Sequence, residues 1–130
     1  GVFNGCRYTD PTTGKETFSN FYPASTNASD IEAFVIDDPM AIYEIQADAA
    51  FPVADLFGNF DIVYTSSGST TTGISGAELD VTTGATTAGL PLKAIDISKR
   101  VTDDDVSSDA TNVLVVIQNH ILGQKGAGLA

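Results

Sequence analysis

The chain has 130 residues, enough for one domain with a buried core, and 17 acidic against 6 basic side chains give it a formal net charge of −11. A chain of this length buries roughly two-thirds of its unfolded surface, so it needs neither a metal nor disulfides to fold. The charge excludes nucleic acid and anionic membranes as expected partners, because both require clustered Lys and Arg. Cys6 is the one cysteine and cannot form an internal disulfide. No apolar run is long enough for a transmembrane helix.

The first third of the chain predicts β-strands separated by turns. Residues 2–8 are predicted to form a strand, and a polar stretch over 9–30 follows it. Two further strands, 31–36 and 41–46, flank an Asp-Asp-Pro sequence at 37–39, which is a strong turn signal. The short connection predicts that these two strands pair with each other as a β-hairpin.

The middle of the chain predicts one short helix, one strand and one long loop. Residues 52–57 favour a helix, because Pro is suited to the first turn and Gly58 to the C-cap. Residues 60–64 follow as a strand. Residues 65–76 are rich in Gly, Ser and Thr, which indicates either a flexible loop or an ordered arm that contacts a partner.

The last third predicts three strands, at 77–81, 92–97 and 112–121. The unbroken apolar centre of the last strand, 113–117, indicates burial on both of its faces. Polar, acidic or small-residue segments separate and follow these strands, at 82–89, 101–110 and 123–130.

The pattern as a whole predicts a single all-β domain over residues 1–130, an antiparallel β-barrel or sandwich with one short helix and long polar loops. Residues 1–3 read as the inside of a strand, so we expect a further N-terminal segment before Gly1. The segments 9–30, 65–76 and 123–130 exceed what a core needs, and we expect them to contact partners.

No catalytic, cofactor-binding or metal-binding residue is predicted, and we expect the chain not to be an enzyme. His120 is the one histidine, and triads and zinc sites need further partners beside it, which favours an ordinary polar role over metal ligation. The acidic runs 103–105 and 37–38 lack the spacing of a calcium loop, which favours solvated turns. The absence of Trp disfavours a sugar-binding cleft.

Four aromatic residues bracket the polar stretch: Tyr8, Phe18, Phe21 and Tyr22. One interpretation is that they cap one end of the core. The other is that some of them anchor an interface, since aromatic side chains are enriched where protein partners meet.

Six stretches that span most of the chain carry a family resemblance: residues 1–11, Phe21-Tyr22-Pro23-Ala24, 31–48 with its Asp37-Asp38-Pro39 turn, the 68–76 loop, Leu90-Pro91-Leu92 and the 112–120 strand. The chain resembles a family of small virion structural proteins of tailed bacteriophages, common in marine phages, in which a segment precedes the Gly-Val-Phe stretch. More loosely, it is similar to β-barrel capsid decoration, or cement, proteins.

The resemblance implies a capsid decoration protein that binds major capsid protein subunits on the outer surface of the virion. It also implies a homo-oligomer, expected to be a trimer, and it supplies no cofactor and no catalytic residue. The alternative is a head-fibre, tail or connector structural protein with a glycan- or host-adhesion role.

Overall fold

The computed structural model describes residues 1–100 and 105–123. The regular structure of these residues is β apart from one 3-10 turn, which confirms the predicted all-β antiparallel class. None of the helical turns in these ranges is long and apolar enough to cross a membrane. The strands are β1 (Val2–Thr9), β2 (Glu16–Ser19), β3 (Glu32–Ile36), β4 (Tyr43–Gln46), β5 (Asn59–Val63), β6 (Glu78–Ala85), β7 (Leu92–Ile97) and β8 (Asn112–Ile117).

The chain divides into two compact units. The first consists of Gly1–Asp37 and Ser67–Gly76, and it holds a three-stranded sheet in the order β2-β1-β3. The second consists of Asp38–Ser66 and the described part of Ala77–Ala130, and it holds a five-stranded sheet in the order β4-β8-β7-β5-β6. Of the two predicted architectures, the presence of two separate sheets fits the sandwich. Over the described ranges no closed barrel is present.

The second unit contains the main apolar core. Phe51 and Phe60 are fully buried, with ring centroids 5.4 Å apart. Around them the five-stranded sheet curls until its two outer strands approach each other at a single bridge between Ala47 and Leu79. The Asp48 N–H donates to the Leu79 carbonyl at 3.0 Å and continues this contact. The remaining buried members of the core are Leu92, Ala94, Ile97, Val113 and Val115.

The predicted hairpin between the strands 31–36 and 41–46 is wrong. β3 pairs with β1, with Val2 opposite Ile36, and β4 pairs with β8, with Tyr43 opposite Val115. The turn signal is real, since the Asp38 carboxylate accepts the Met40 N–H at 2.8 Å. However, the two strands belong to different sheets, so the segment between them connects one sheet to the other.

The predicted helix over 52–57 is also wrong, since only Val53–Asp55 forms one 3-10 turn. Phe57 takes a left-handed backbone conformation, φ +68°, and its N–H donates to the Ala94 carbonyl of β7 at 2.9 Å. The chain therefore leaves the helical path to join the sheet. Pro52 precedes the turn as predicted, but the C-cap is Leu56 and not Gly58, because Phe57 already joins β7.

Three strand boundaries differ from the prediction. β2 lies inside the predicted polar stretch, because pairing with β1 makes a strand of residues that have little apolar character of their own. β6 continues through the first half of the predicted 82–89 loop and ends at Ala85. β8 ends at Ile117 and buries only Val113 and Val115 fully, so one of its faces is half-buried.

Gly5 places a bulge in the centre of the three-stranded sheet. The register between β1 and β3 shifts between Phe3 and Cys6, and Gly5 has φ +119°. A Cβ atom at Gly5 would lie 2.8 Å from the Ser19 carbonyl oxygen of β2. Both the backbone conformation and the close approach of β2 therefore require glycine here.

Asp30 ties the end of β1 to the segment that leads into β3. Its carboxylate accepts hydrogen bonds from the Thr9 N–H, at 3.1 Å, and from the Thr9 hydroxyl, at 2.6 Å. These hydrogen bonds, the hydroxyl contribution first, lower the pKa of Asp30 below its ordinary value of 3.8. The ionised carboxylate therefore stabilises the folded state.

We expect Gly5→Ala to destabilise the protein more than Gly14→Ala. Both glycines have positive φ, so alanine is strained by about 1–2 kcal/mol at either position. Gly14 has open space around it, whereas a Cβ at Gly5 meets backbone that cannot move aside. The free energy of unfolding in urea should fall by about 1–3 kcal/mol more for Gly5→Ala. Equal losses for the two variants would contradict the bulge geometry.

We expect Asp30→Asn to lower stability at neutral pH and to have less effect in acid. Because the folded pKa of Asp30 is lowered, its contribution is complete above about pH 4, near its ordinary pKa, and is lost as pH falls through the folded value. Urea midpoints at pH 7, 4 and 2.5 measure the difference from the parent chain. Asp109→Asn, in another exposed turn, controls for loss of charge. A difference independent of pH would contradict the hydrogen-bonded carboxylate.

Candidate protein-interaction surface

The four aromatic residues around the polar stretch divide into two groups. Tyr8 is buried, and its ring packs edge-on against Tyr22 with centroids 6.0 Å apart. The Phe21 carbonyl accepts the Cys6 thiol at 3.7 Å, so this segment covers the part of one sheet face that holds Cys6 and Tyr8. Tyr8 thus has the predicted core role. Phe18 is 68% exposed and belongs to the other face.

The register of the three strands defines that other face. Val2 lies opposite Ile36, and Arg7 lies opposite both Phe18 and Glu32. Paired residues project to the same side of a sheet, and so do residues two positions apart on one strand. We call this surface the Phe34 face, and it consists of Val2, Arg7, Glu16, Phe18, Glu32, Phe34 and Ile36.

The apolar part of the Phe34 face is uncovered. Phe34 is 43% exposed, and Val2 and Ile36 are exposed to a similar degree. A fully exposed phenylalanine side chain has about 200 Å² of surface. From their exposed fractions, these three side chains and Phe18 together present roughly 350 Å² of apolar surface. A patch of about 300–600 Å² is the largest on a typical monomer and is often functional. The apolar part of the face is therefore a candidate contact surface.

The charged part of the face connects all three strands. The guanidinium of Arg7 donates to Glu16 of β2 at 2.9 Å and to Glu32 of β3 at 2.7 Å. The hydrogen bond and the charge of Glu32 are the main causes that raise the pKa of Arg7. Two carboxylates thus surround one cation, so this half of the face carries net negative charge.

A shallow cleft of about 320 Å³ lies between the two phenylalanines. Phe18 and Phe34 stand on the strands that flank β1, and Gly5 lies between them without a side chain. The lining also includes Asn4, Cys6, Ser19 and Asn20. The Gly5 bulge therefore leaves room for a partner group at the centre of the face.

The residue segment 65–76 contacts its own chain over much of its length. The Ser69 N–H donates to the Ile74 carbonyl at 2.9 Å, which closes a turn. The Asn20 side chain donates to the Thr72 carbonyl at 3.3 Å. A Cβ atom at Gly73 would lie 2.5 Å from the ring of Phe21, so the turn packs directly on that residue. Part of the predicted contact arm thus belongs to the first unit itself.

The other predicted polar groups have local roles. His120 is buried in the turn after β8, where its Nδ1 accepts the Leu122 N–H at 3.1 Å. Asp105 accepts the Ser107 hydroxyl and N–H, chiefly the former, which lowers the pKa of Asp105. Asp103, Asp104 and residues 124–130 of the predicted tail lie outside the described residues. Over the described ranges, no three His, Cys, Asp or Glu side chains converge as metal ligands.

The Phe34 face was not recognised from the sequence, although its signal is present. The apolar run at 31–36 predicted a strand, but the hairpin prediction paired it with 41–46 instead of with β1. Arg7, Glu16 and Glu32 are far apart in sequence, and only the register of the sheet brings them together.

Comparisons with known proteins assign no family to the chain. No protein-family model, no curated protein and no solved structure matches it. The resemblance to bacteriophage virion proteins therefore stays a prediction, and the interaction surface is defined by the residues of this chain alone.

Proposed function

We propose that the chain is a capsid decoration protein, which stabilises a bacteriophage head by binding major capsid protein subunits on its outer surface. The observation that supports this proposal best is the uncovered apolar part of the Phe34 face, a set of four exposed apolar side chains on one sheet. Such a surface suits a protein that works by contact, and the proposed role requires no catalysis.

The size of the face favours an oligomer. Burying roughly 350 Å² of apolar surface contributes about 9 kcal/mol at 25 cal/mol per Å². Association costs about 4–15 kcal/mol in lost translation and rotation. A single subunit would therefore bind weakly. Several subunits joined together gain avidity, because each later contact is intramolecular. A homotrimer on the capsid, as the resemblance implies, meets this requirement.

The charge of the chain suits the same role. A net charge of −11 opposes non-specific association between the free assemblies. It also favours a capsid partner whose contact rim is basic, since complementary potentials accelerate encounter and disfavour wrong partners. The proposal therefore places the subunit against a surface with exposed Lys and Arg.

We expect Phe34→Ser to reduce occupancy on heads of the encoding phage. Purified heads are incubated with the protein, sedimented and imaged at near-atomic resolution. Truncation of an anchor side chain should weaken binding at least about fivefold. Tyr64→Ser, another exposed aromatic residue but in the second unit, is the matched control and should bind as the parent chain does. Melting temperatures of both variants test for unfolding.

Three outcomes would overturn the proposal. The first is unchanged head occupancy for Phe34→Ser. The second is a map that places the subunit at the head–tail junction or on the tail. The third is saturable glycan binding by isolated subunits that do not bind heads, which would favour the adhesion alternative.

A further inference from the structure

We infer that the cleft between Phe18 and Phe34 receives an apolar side chain from an extended, basic segment of the partner protein. The inference deepens the proposed function and rests on it for the identity of the partner. The chemistry of the segment follows from the residues of the Phe34 face. The volume of the cleft, the charge of the Phe34 face and the spacing of the side chains on that face each limit which partner segment can bind.

The volume of the cleft limits the occupant to a small group. Ligand pockets span about 300–1,000 Å³, and the cleft, at about 320 Å³, is at the lower end. Gly5 forms part of its lining, and no side chain there blocks approach to the backbone of β1. One or two apolar side chains from a partner fit this space, held between two aromatic rings.

The spacing of the side chains indicates an extended occupant. Glu16 and Phe18 are two residues apart on β2, and Glu32 and Phe34 are two residues apart on β3. Both strands are antiparallel to β1, so they run parallel to each other, and in both the glutamate comes first. Each outer strand thus carries an acidic residue about 7 Å along the backbone from an aromatic residue. A partner strand with an apolar and a basic residue at the same period of two matches this pattern.

The charge of the face disfavours a second copy as the occupant. The first unit carries five acidic and two basic side chains, and the chain as a whole carries −11. Two copies in contact through this face would bring Glu16 and Glu32 near their own equivalents, and like-charge contacts cost several kcal/mol. Arg7 already donates to both glutamates, so it offers them only partial neutralisation. Lys or Arg from a different protein removes this penalty.

Three synthetic eight-residue peptides test the inference on the full-length chain. The first has a central Phe within alternating Val and Lys, the second has Glu for each Lys, and the third has Ser for the Phe. Binding is followed by backbone amide chemical shifts of β1 to β3 during titration. We expect saturable binding of the Phe–Lys peptide, with the Glu and Ser peptides at least tenfold weaker.

Variants of the chain and changes in salt concentration distinguish the apolar contribution to peptide binding from the electrostatic contribution. Phe34→Ser should weaken the Phe–Lys peptide at least fivefold, and Tyr64→Ser should not change it. Raising the salt concentration from 50 to 300 mM should weaken binding of the Phe–Lys peptide to the parent chain, because salt screens the attraction between its Lys residues and the glutamates. The double variant Glu16→Gln, Glu32→Gln should bind more weakly and lose most of this salt dependence.

Several results would overturn the inference. These are equal binding of the Lys and Glu peptides, no binding by any peptide, or shifts in β1 to β3 that depend on protein concentration alone, which would indicate a second copy. The test is independent of heads. If the peptides bind as expected but the protein does not bind phage heads, the proposed function is wrong, whereas the inferred chemistry of the partner segment is correct. If heads bind and the peptides do not, only the partner chemistry fails.

Discussion

A sheet has two faces, and β3 carries apolar side chains on both of them. Phe34 and Ile36 project to one side and Ala33 and Val35 to the other, and all five residues of β3 are exposed. Full burial of a large apolar side chain stabilises a fold by about 1.5–3 kcal/mol. Over the described residues, burial of the apolar side chains of β3 therefore contributes little to the stability of the three-stranded sheet. The first unit therefore forms with its most apolar strand uncovered, and the remaining features of the unit follow from that constraint.

Arg7 and Gly5 hold the uncovered face in shape. The ion pairs of Arg7 are 40% or more exposed, and such pairs contribute only about 0–1 kcal/mol to stability. Their consequence is positional, because Arg7 on the central strand fixes one glutamate on each neighbouring strand. Each glutamate is two residues from a phenylalanine on the same strand. Gly5 lets the central strand bulge between those phenylalanines, so one cation and one glycine together determine the geometry of the cleft.

The positions of most strands follow from the sequence, but their partners do not. The alternation at 41–46 and the apolar run at 113–117 are local signals, and both strands are present. Which strand lies beside which depends on ladders far away in sequence, so the hairpin prediction fails. β2 is recognisable only through its pairing with β1. An apolar run such as 31–36 is equally typical of a strand buried by its own chain and of one that a partner covers. Sequence pattern alone therefore does not locate the Phe34 face.

Acidic side chains influence which molecules approach the apolar part of the Phe34 face only if they lie close to it. At physiological ionic strength the screening length is about 8 Å, so distant carboxylates of this chain have little influence on an encounter at the patch. Glu16 and Glu32 are about 7 Å along their strands from Phe18 and Phe34, within that length. They oppose approach by another acidic copy and attract a basic segment over the same range. With the two-residue spacing, one pair of carboxylates would, in the proposed role, both oppose contact with the same face of another copy and favour a basic partner.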